Sequence, residues 1–218
     1  MIIFDCNGVL VDSEPLAAIV AAEEFHKVGF TVSAEVIGRY FVGRRTSDML
    51  AAVEKAVGTR LPSHFPATLT AATLRRFRQE LRATPHVEHA LSWLRGPKCV
   101  ASSSTLERIH AGLDATGLSR FFGSNLFSAA DVSRGKPAPD LYAHVARRMR
   151  VQPQDCIVVE DSVVGVEAAT AAGMMSVGFV GGSHAGLGLE EQLRTSGARA
   201  VIGDMRALKG VICDLRGW

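Results

Sequence analysis

Short apolar runs recur along this chain, and each is followed by a turn and then by a helical pattern. The runs are continuously apolar rather than alternating, which is typical of strands that are covered on both faces. This order of strand, turn and helix predicts an α/β fold, a doubly wound parallel sheet with helices on both sides. The predicted strands span residues 2–6, 98–102, 156–160 and 174–180, with a weaker one at 200–202.

One long segment interrupts this order. From about residue 14 to residue 82 the sequence contains no convincing strand, but it shows four helix patterns, at 15–28, 33–41, 47–57 and 66–82. A connection of this length is far longer than an ordinary crossover between neighbouring strands. We therefore predict two domains, an α/β core of residues 1–13 and 82–218 and an inserted all-helical cap of residues 14–81.

Charge and composition narrow the choice of partners and of compartment. With 24 Lys and Arg against 22 Asp and Glu, the net charge of +2 does not suggest a surface built for nucleic acid or an anionic membrane. No run approaches the roughly 18 apolar residues of a membrane span, and the N-terminus lacks a signal-peptide pattern. We expect a cytoplasmic protein, a monomer or weak homodimer, with neither a nucleic-acid nor a membrane partner.

The cysteines support the same compartment. They have no C-x-x-C spacing and lie in or beside apolar runs, which favours free thiols packed in strands over disulfides or zinc ligands. Free thiols are typical of a reducing compartment. The four are Cys6, Cys99, Cys156 and Cys213.

Polar side chains gather where the predicted strands end, which is where open α/β sheets bind ligands. They supply carboxylates for a hard cation, an ammonium group, and hydroxyl and N–H groups at a helix start, a combination that suits phosphate and magnesium. We expect the oxygen ligands of Mg²⁺ to come from Asp5, Asp161 and Glu160. The phosphoryl oxygens would be held by Ser102, the Ser103 N–H and Lys136.

Each of these sets has a plainer alternative when it is taken alone. Asn7-Gly8 between two apolar runs is a strong hairpin signal, and the serines at 102–104 are common helix N-cap residues. Lys136 alone is a solvated surface charge, and Glu160-Asp161 could cap the helix that follows. Only their joint position at the strand ends favours the functional interpretation.

Four motifs, in order, carry a resemblance to a known family. They are FDCNGVLVDSE at 4–14, ASSS at 101–104, GKPAPD at 135–140 and VEDSVVGVEAA at 159–169. The chain resembles the haloacid dehalogenase-like (HAD) hydrolases, in the branch of sugar-phosphate phosphatases and beta-phosphoglucomutase, which carries a helical cap after the first motif. The resemblance covers almost the whole chain. It implies a Rossmann-like core, Mg²⁺ as cofactor and a small phosphorylated metabolite as substrate.

The resemblance also implies roles for individual residues. Asp5 would attack phosphorus and form an aspartyl phosphate, which water then hydrolyses. In the family, the carboxylate two positions later is the general acid and base, and its main-chain carbonyl binds Mg²⁺; here that position holds Asn7. The implied catalytic residues are Asp5, Asn7, Ser102 and Lys136. The implied metal ligands are Asp5, Asn7, Glu160 and Asp161.

Asn7 departs from the family pattern. An amide has no proton to exchange at a useful pKa, so general acid-base help, typically worth about 10²–10⁴ in rate, would be lost. We expect phosphate binding to persist and turnover to be impaired. The origin we favour is a substitution introduced to trap a bound state, while a natural variant or an error in the sequence stays open. The alternative function is a non-catalytic phosphate-ligand binding or regulatory protein on the same fold.

We expect the cap to select the substrate. Its candidates are Gly43, Arg44 and Arg45, which lie in a loop between two predicted helices. Arg45 could bind a second anionic or hydroxyl-rich end of the substrate, although arginines that simply lie in solvent explain the loop equally well. From the core, Cys6 and Ser103 complete the predicted substrate-binding set.

The substrate itself is indicated only by similarity. A phosphosugar mutase, the remaining alternative, would be expected to carry a cap histidine at the place where this chain has Ala17. The alanine argues against mutase activity. Overall similarity indicates sugar phosphates such as 6-phosphogluconate.

Overall fold

Six parallel strands form the centre of the structure. The computed structural model describes residues 1–217. The strands are β1 (Ile2–Phe4), β2 (Lys98–Ser102), β3 (Leu126–Ser128), β4 (Ile157–Glu160), β5 (Met175–Phe179) and β6 (Ala200–Ile202). They lie in one sheet in the order β3-β2-β1-β4-β5-β6, and every neighbouring pair is parallel. The predicted doubly wound sheet is confirmed.

Ten α-helices accompany the sheet within the described residues. The first four are α1 (Glu14–Lys27), α2 (Ala34–Phe41), α3 (Thr46–Val57) and α4 (Phe65–Glu80). The others are α5 (Val87–Trp93), α6 (Leu106–Ala115), α7 (Asp140–Met149), α8 (Val163–Ala171), α9 (Leu189–Thr195) and α10 (Leu208–Arg216). Thr105 caps α6 by accepting a hydrogen bond from the Arg108 N–H, and Ser162 caps α8 by accepting one from the Gly165 N–H. These caps replace the predicted capping by serines 102–104 and by Glu160-Asp161.

The central strand explains why the apolar runs are continuous. β1 lies between β2 and β4, with Ile3 opposite Cys99 and Val158. Ile2 and Phe4 pack into the apolar cluster on one face of the sheet, and Ile3 packs into the cluster on the other. Because both faces are covered by helices, every position of the strand is apolar. The strand therefore delivers the next residue, Asp5, to the carboxyl edge of a rigid sheet.

The predicted strands are all present, and the structure adds one. β3 has only three residues, two of them partly buried, so its apolar run is too short to be distinguished from a loop. The first strand ends at Phe4 rather than at Cys6, because the chain turns into a tight loop there. The N–H of Asp5 nevertheless still donates to the carbonyl of Val159, at 3.0 Å.

Helices α1 to α4 share an apolar cluster of their own. At its centre Phe25 stacks on Phe65, with ring centroids 5.0 Å apart. Within the described chain this segment contains helices and no strand, as predicted. Near the end of α4, however, Phe77 packs with the cluster on the sheet rather than with the helical one. The domain limits at residues 14 and 81 stay predictions.

The thiols and the helix lengths bear on two further expectations. All four cysteines are free, and all except Cys213 are buried. Cys213 lies on α10 rather than in a strand, which corrects the expected placement. Among the described residues no helix is both long and apolar enough to cross a bilayer. The cytoplasmic location and the oligomeric state stay predictions.

The packing of α1 on α4 yields a stability test. Replacing Phe25 by alanine should destabilise the protein by about 3–5 kcal/mol, because the ring is fully buried and leaves a cavity. Val57→Ala, at a half-exposed position of α3, is the control and should change stability by at most about 0.5 kcal/mol. Urea unfolding followed by circular dichroism measures both. Equal effects would contradict a packed helical core.

Candidate active site

The loop after β1 brings Asp5 and Asn7 to the carboxyl edge of the sheet. The carbonyl of Cys6 accepts hydrogen bonds from the N–H groups of Leu10 and Val11, which closes the loop tightly. Gly8 has φ +76°, a conformation that favours glycine. The two-residue hairpin considered for Asn7-Gly8 is not formed, since the bridge between Asn7 and Val11 is parallel and Val11 forms its antiparallel bridge with Ala83.

A buried ammonium group lies at the centre of the site. Nζ of Lys136 is 2.6 Å from Oδ1 of Asp5 and forms a second ion pair with Oε1 of Glu160. All three residues are buried. The ammonium also lies 5.3 Å from the centre of the Tyr142 ring, within cation–π range. Lys136 is therefore not the solvated surface charge that its sequence context allows.

Glu160 holds this ammonium in place. Its Oε1 also accepts a hydrogen bond from the Tyr142 hydroxyl at 2.7 Å. Its Oε2 accepts from the Ser162 N–H and hydroxyl, at 3.1 and 2.9 Å. Both oxygens are thus already engaged by the protein. Glu160 is placed to orient Lys136, and its predicted role as a metal ligand stays untested.

The Asn7 side chain is fully hydrogen-bonded. Nδ2 donates to the hydroxyls of Ser104 and Ser102, at 2.8 and 3.3 Å, and Oδ1 accepts from the Ser13 hydroxyl at 3.0 Å. The amide links the ends of β1 and β2 to the residue that precedes α1. Ser102 is thereby brought beside Asn7, in the loop that follows β1.

Asp161 lies on the other side of the loop. Its Oδ2 is 2.8 Å from Nε2 of His184. Side chains at Gly8 or Gly182 would overlap the imidazole, and one at Gly8 would also overlap the Asp161 carboxyl. Two glycines therefore make the space in which this carboxylate and this histidine meet.

The cap loop reaches the core at two points. The Ser103 hydroxyl donates to the carbonyl of Gly43 at 2.7 Å. The Arg45 guanidinium donates to the carbonyls of Val132 and Ser133, at 3.2 and 3.4 Å, while Arg44 is exposed. In this structure Arg45 therefore binds core main chain rather than lying free in solvent.

A cavity of about 120 Å³ lies between the cap and the core. It joins the carboxyl edge of the sheet to the cap loop, because Asp5, Asn7, Ser103 and the predicted cap residues all line it. The cap side is mostly apolar, with Ile37, Met49 and Leu69 among the lining residues. Cys6 does not line it; its thiol is buried in the sheet cluster, so a substrate contact through that side chain has no support here.

Comparison with known proteins identifies the family. A model of the haloacid dehalogenase-like hydrolase family matches residues 1–173. The chain belongs to the haloacid dehalogenase-like hydrolases. It is 30% identical to the 6-phosphogluconate phosphatase of Escherichia coli, over 84% of this chain and 83% of that protein.

Solved structures of haloacid dehalogenase-like proteins match the fold over nearly its full length. One from Agrobacterium tumefaciens is 36% identical, with a TM-score of 0.83 and coverage of 99% of this chain and 98% of that one. Another, a family hydrolase from Deinococcus radiodurans, is 29% identical, with a TM-score of 0.76 and coverage of 99% and 95%. That structure contains bound phosphate and sodium.

Negative charge exceeds positive charge among the buried groups of this haloacid dehalogenase-like site. Burial lowers the pKa of Lys136, but the carboxylates of Asp5 and Glu160 outweigh it and raise this pKa well above its ordinary value, so the ammonium stays charged. Burial raises the pKa of Asp5 despite the adjacent ammonium, and the neighbouring carboxylates of Glu160 and Asp161 add to the rise. The cluster therefore carries more negative charge than Lys136 can balance, which favours an added cation.

A hard divalent cation fits the residues present. Within residues 1–217 no group of three or more His, Cys, Asp or Glu side chains forms a ready-made metal site. Asp161 Oδ2, however, is buried and takes no well-angled hydrogen bond. Mg²⁺ usually keeps several waters and needs only one or two carboxylates. Asp5, Asp161 and the main-chain carbonyl of Asn7 could supply such a partial set.

Sequence reasoning missed several residues of the site. Tyr142 has the spacing of an ordinary core residue of α7, and His184 lies in a glycine-rich loop with no motif. Glu14 and Arg108 line the cavity from the first turns of α1 and α6. Of these four residues, only Glu14 had a sequence signal, because it belongs to the DSE segment of the first motif.

Two glycines at equivalent helix positions test how closely α8 packs against the Glu160 carboxyl, which holds the Lys136 ammonium. Gly165 is the third residue of α8, and an added Cβ would overlap the Glu160 carboxyl. Gly165→Ala should therefore destabilise the protein, by about 1–3 kcal/mol. Gly210 is the third residue of α10 and has open space around it, so Gly210→Ala should stabilise by about 0.4–1 kcal/mol. Thermal unfolding checks the opposite signs; equal shifts would contradict the packing.

Proposed function

We propose that this protein is a Mg²⁺-dependent phosphatase of small phosphorylated metabolites, with Asn7 slowing its turnover. The observation that carries the proposal is the buried Asp5 carboxylate paired with Lys136 at the wall of the cavity between cap and core. Phosphatases among the relatives, and the phosphate held by the Deinococcus structure, support the same chemistry.

Asp5 is the proposed nucleophile. Its carboxylate would attack phosphorus and form an aspartyl phosphate, while Lys136 would hold a phosphoryl oxygen. The Ser102 hydroxyl and the main chain at Ser103 would hold the others, close to the start of α6. Water would then hydrolyse the acyl phosphate and restore Asp5.

The metal has a defined place in this proposal. Asp5, Asp161 and the carbonyl of Asn7 would hold Mg²⁺, which supplies positive charge that offsets the repulsion between a phosphate dianion and a carboxylate. Glu160 would act beside them by fixing Lys136, since both of its oxygens are already engaged.

Sugar phosphates are the proposed substrate class. Two bacterial relatives are named as phosphatases of 6-phosphogluconate and of fructose 1-phosphate. The cavity would offer the Thr46 hydroxyl to a polar substrate tail, and Arg45 beside it already donates to core main-chain carbonyls. Ala17 also lines it, at the position where a mutase is expected to carry a histidine, so hydrolysis is favoured over phosphoryl return.

Restoring an acid at position 7 tests this function. Asn7→Asp should raise phosphate release from sugar phosphates, because a carboxyl can exchange a proton and an amide cannot; the gain reaches about 10²–10⁴-fold where no other residue carries that proton. Asn125→Asp, outside the cavity, is the matched control and should change nothing. Peptide mass spectrometry must first exclude deamidation, since Asn7 precedes a glycine.

A panel of sugar phosphates and para-nitrophenyl phosphate with Mg²⁺ would measure this release. If neither the protein nor its Asn7→Asp variant releases phosphate from any of them, the phosphatase proposal fails. Phosphate binding by both forms without turnover would support the non-catalytic alternative instead.

Metal binding has its own test, independent of activity. Mg²⁺ at a hundred times its dissociation constant should stabilise the fold by about 2.7 kcal/mol. Asp161→Asn should reduce this thermal shift strongly, since it removes a ligand charge. Asp214→Asn, exposed on α10, should retain it. Equal Mg²⁺ shifts in the two variants would contradict the proposed metal ligand.

A further inference from the structure

The proposed reaction needs a proton donor that the first motif does not supply. An alkoxide leaving from phosphorus is a strong base, and its departure is assisted by a positioned acid. Asn7 cannot be that acid, and its amide protons already go to Ser102 and Ser104. Another titratable group must face the same cavity if the protein turns over alkyl phosphates.

Glu14 is placed to meet that need. It is the first residue of α1, at the junction of cap and core, and it lines the same cavity as Asp5 and Asn7. Its neighbour Ser13 is hydrogen-bonded to the Asn7 side chain, which ties the start of α1 to the catalytic loop. Its side chain therefore shares a cavity with the proposed nucleophile.

The Glu14 carboxylate is also uncommitted. Within residues 1–217 it forms no ion pair and no hydrogen bond. The other inward-facing glutamates are held: Glu24 pairs with Lys27 at 2.6 Å, and Glu160 is engaged at both oxygens. Glu14 is therefore a partly buried carboxylate on the wall of the cavity, and only the more distant charges of Arg108 and His184 favour its ionised form.

We propose that Glu14 is the general acid and base of this active site, in the place of the carboxylate that is missing at Asn7. The inference rests on the proposed phosphatase function and deepens it. It makes Glu14 a catalytic residue and assigns the cap helix α1 a part in the chemistry.

The charges around Glu14 suit proton exchange near neutral pH. Burial and the carboxylate of Asp161 raise the pKa of Glu14 to about 6, and Glu160 adds to the rise. Arg108 and His184 oppose it, since their positive charge favours the ionised form. Near pH 6 both forms of the side chain are populated, as a group that gives and then takes a proton requires.

The two half-reactions balance with Glu14 in both. In the first, Asp5 forms a bond to phosphorus, the bond from phosphorus to the substrate oxygen breaks, and that oxygen takes the Glu14 proton. In the second, the Glu14 carboxylate takes a proton from water as the water oxygen attacks phosphorus. The bond from phosphorus to Asp5 then breaks, which releases phosphate and leaves Glu14 protonated for the next cycle.

The decisive variant is Glu14→Gln, compared with the parent protein on two leaving groups. Para-nitrophenolate leaves without protonation, so the variant should keep a rapid first release of para-nitrophenol and then accumulate phosphorylated Asp5. Steady turnover of sugar phosphates should fall by about 10²-fold or more, since both half-reactions lose their proton carrier. Stopped-flow absorbance and intact-protein mass spectrometry measure the two effects.

Two further variants separate catalysis from structure. Glu35→Gln, in the exposed first turn of α2, is the matched control and should leave all rates unchanged. Glu14→Asp keeps a carboxyl and should restore part of the turnover. In the Asn7→Asp background Glu14→Gln should cost only a few-fold, because Asp at position 7 then carries the proton.

The pH profile gives an independent readout. With para-nitrophenyl phosphate the dephosphorylation step needs the Glu14 carboxylate, so its rate should rise with pH through about 6. Glu14→Gln should abolish this rise of the rate with pH. Arg108→Gln should move the rise to higher pH, because loss of the cation raises the pKa of a neighbouring carboxyl.

The outcomes distinguish this inference from the proposed function. If Asn7→Asp is active but Glu14→Gln matches the parent in burst, turnover and pH profile, Glu14 is not the proton carrier. The same conclusion follows if the parent has no turnover at all while Asn7→Asp has it. If no form releases phosphate from any substrate, the phosphatase function itself has failed.

Discussion

The buried ammonium of Lys136 is the contact on which the rest of the site depends. An unpaired charge in this position would cost several kcal/mol, so the chain surrounds it with Asp5, Glu160 and the Tyr142 ring. Glu160 must in turn be held by Ser162, and α8 must carry a glycine at its third position, Gly165, to leave room for the Glu160 carboxyl. The residue types around Glu160 are therefore explained by the need to keep one cation buried.

Much of this could be predicted from the sequence, because continuous apolar runs mark a parallel sheet and the polar residues after them must meet at its edge. Asp5, Lys136 and Asp161 were found in that way. The missed features depend on contacts between distant segments. Tyr142 has the spacing of a core residue, and the hydrogen bonds of Arg45 go to main-chain carbonyls, which carry no sequence signal. Strand β3 was too short to give a pattern.

Asn7 shows that shape and proton transfer are separate properties of one position. The amide has nearly the size of a carboxylate, and three serine hydroxyls, those of Ser13, Ser102 and Ser104, satisfy its hydrogen bonds. Hydroxyls can donate or accept, so the same surroundings would accommodate an aspartate without rearrangement. The hydrogen-bond partners of this position thus suit either residue, and only an aspartate could also exchange a proton.

The hydrogen bonds of Arg45 to the main chain at 132–133 also affect the rigidity of the site. Its guanidinium packs over Gly135, the residue before Lys136, where a side chain would collide with it. The cap loop thus supports the segment that positions the Lys136 ammonium. If the cap moved away, this support would be lost. Opening the cavity would therefore also make the segment that holds Lys136 less rigid. A closed cap would give the site both exclusion of water and a fixed positive charge.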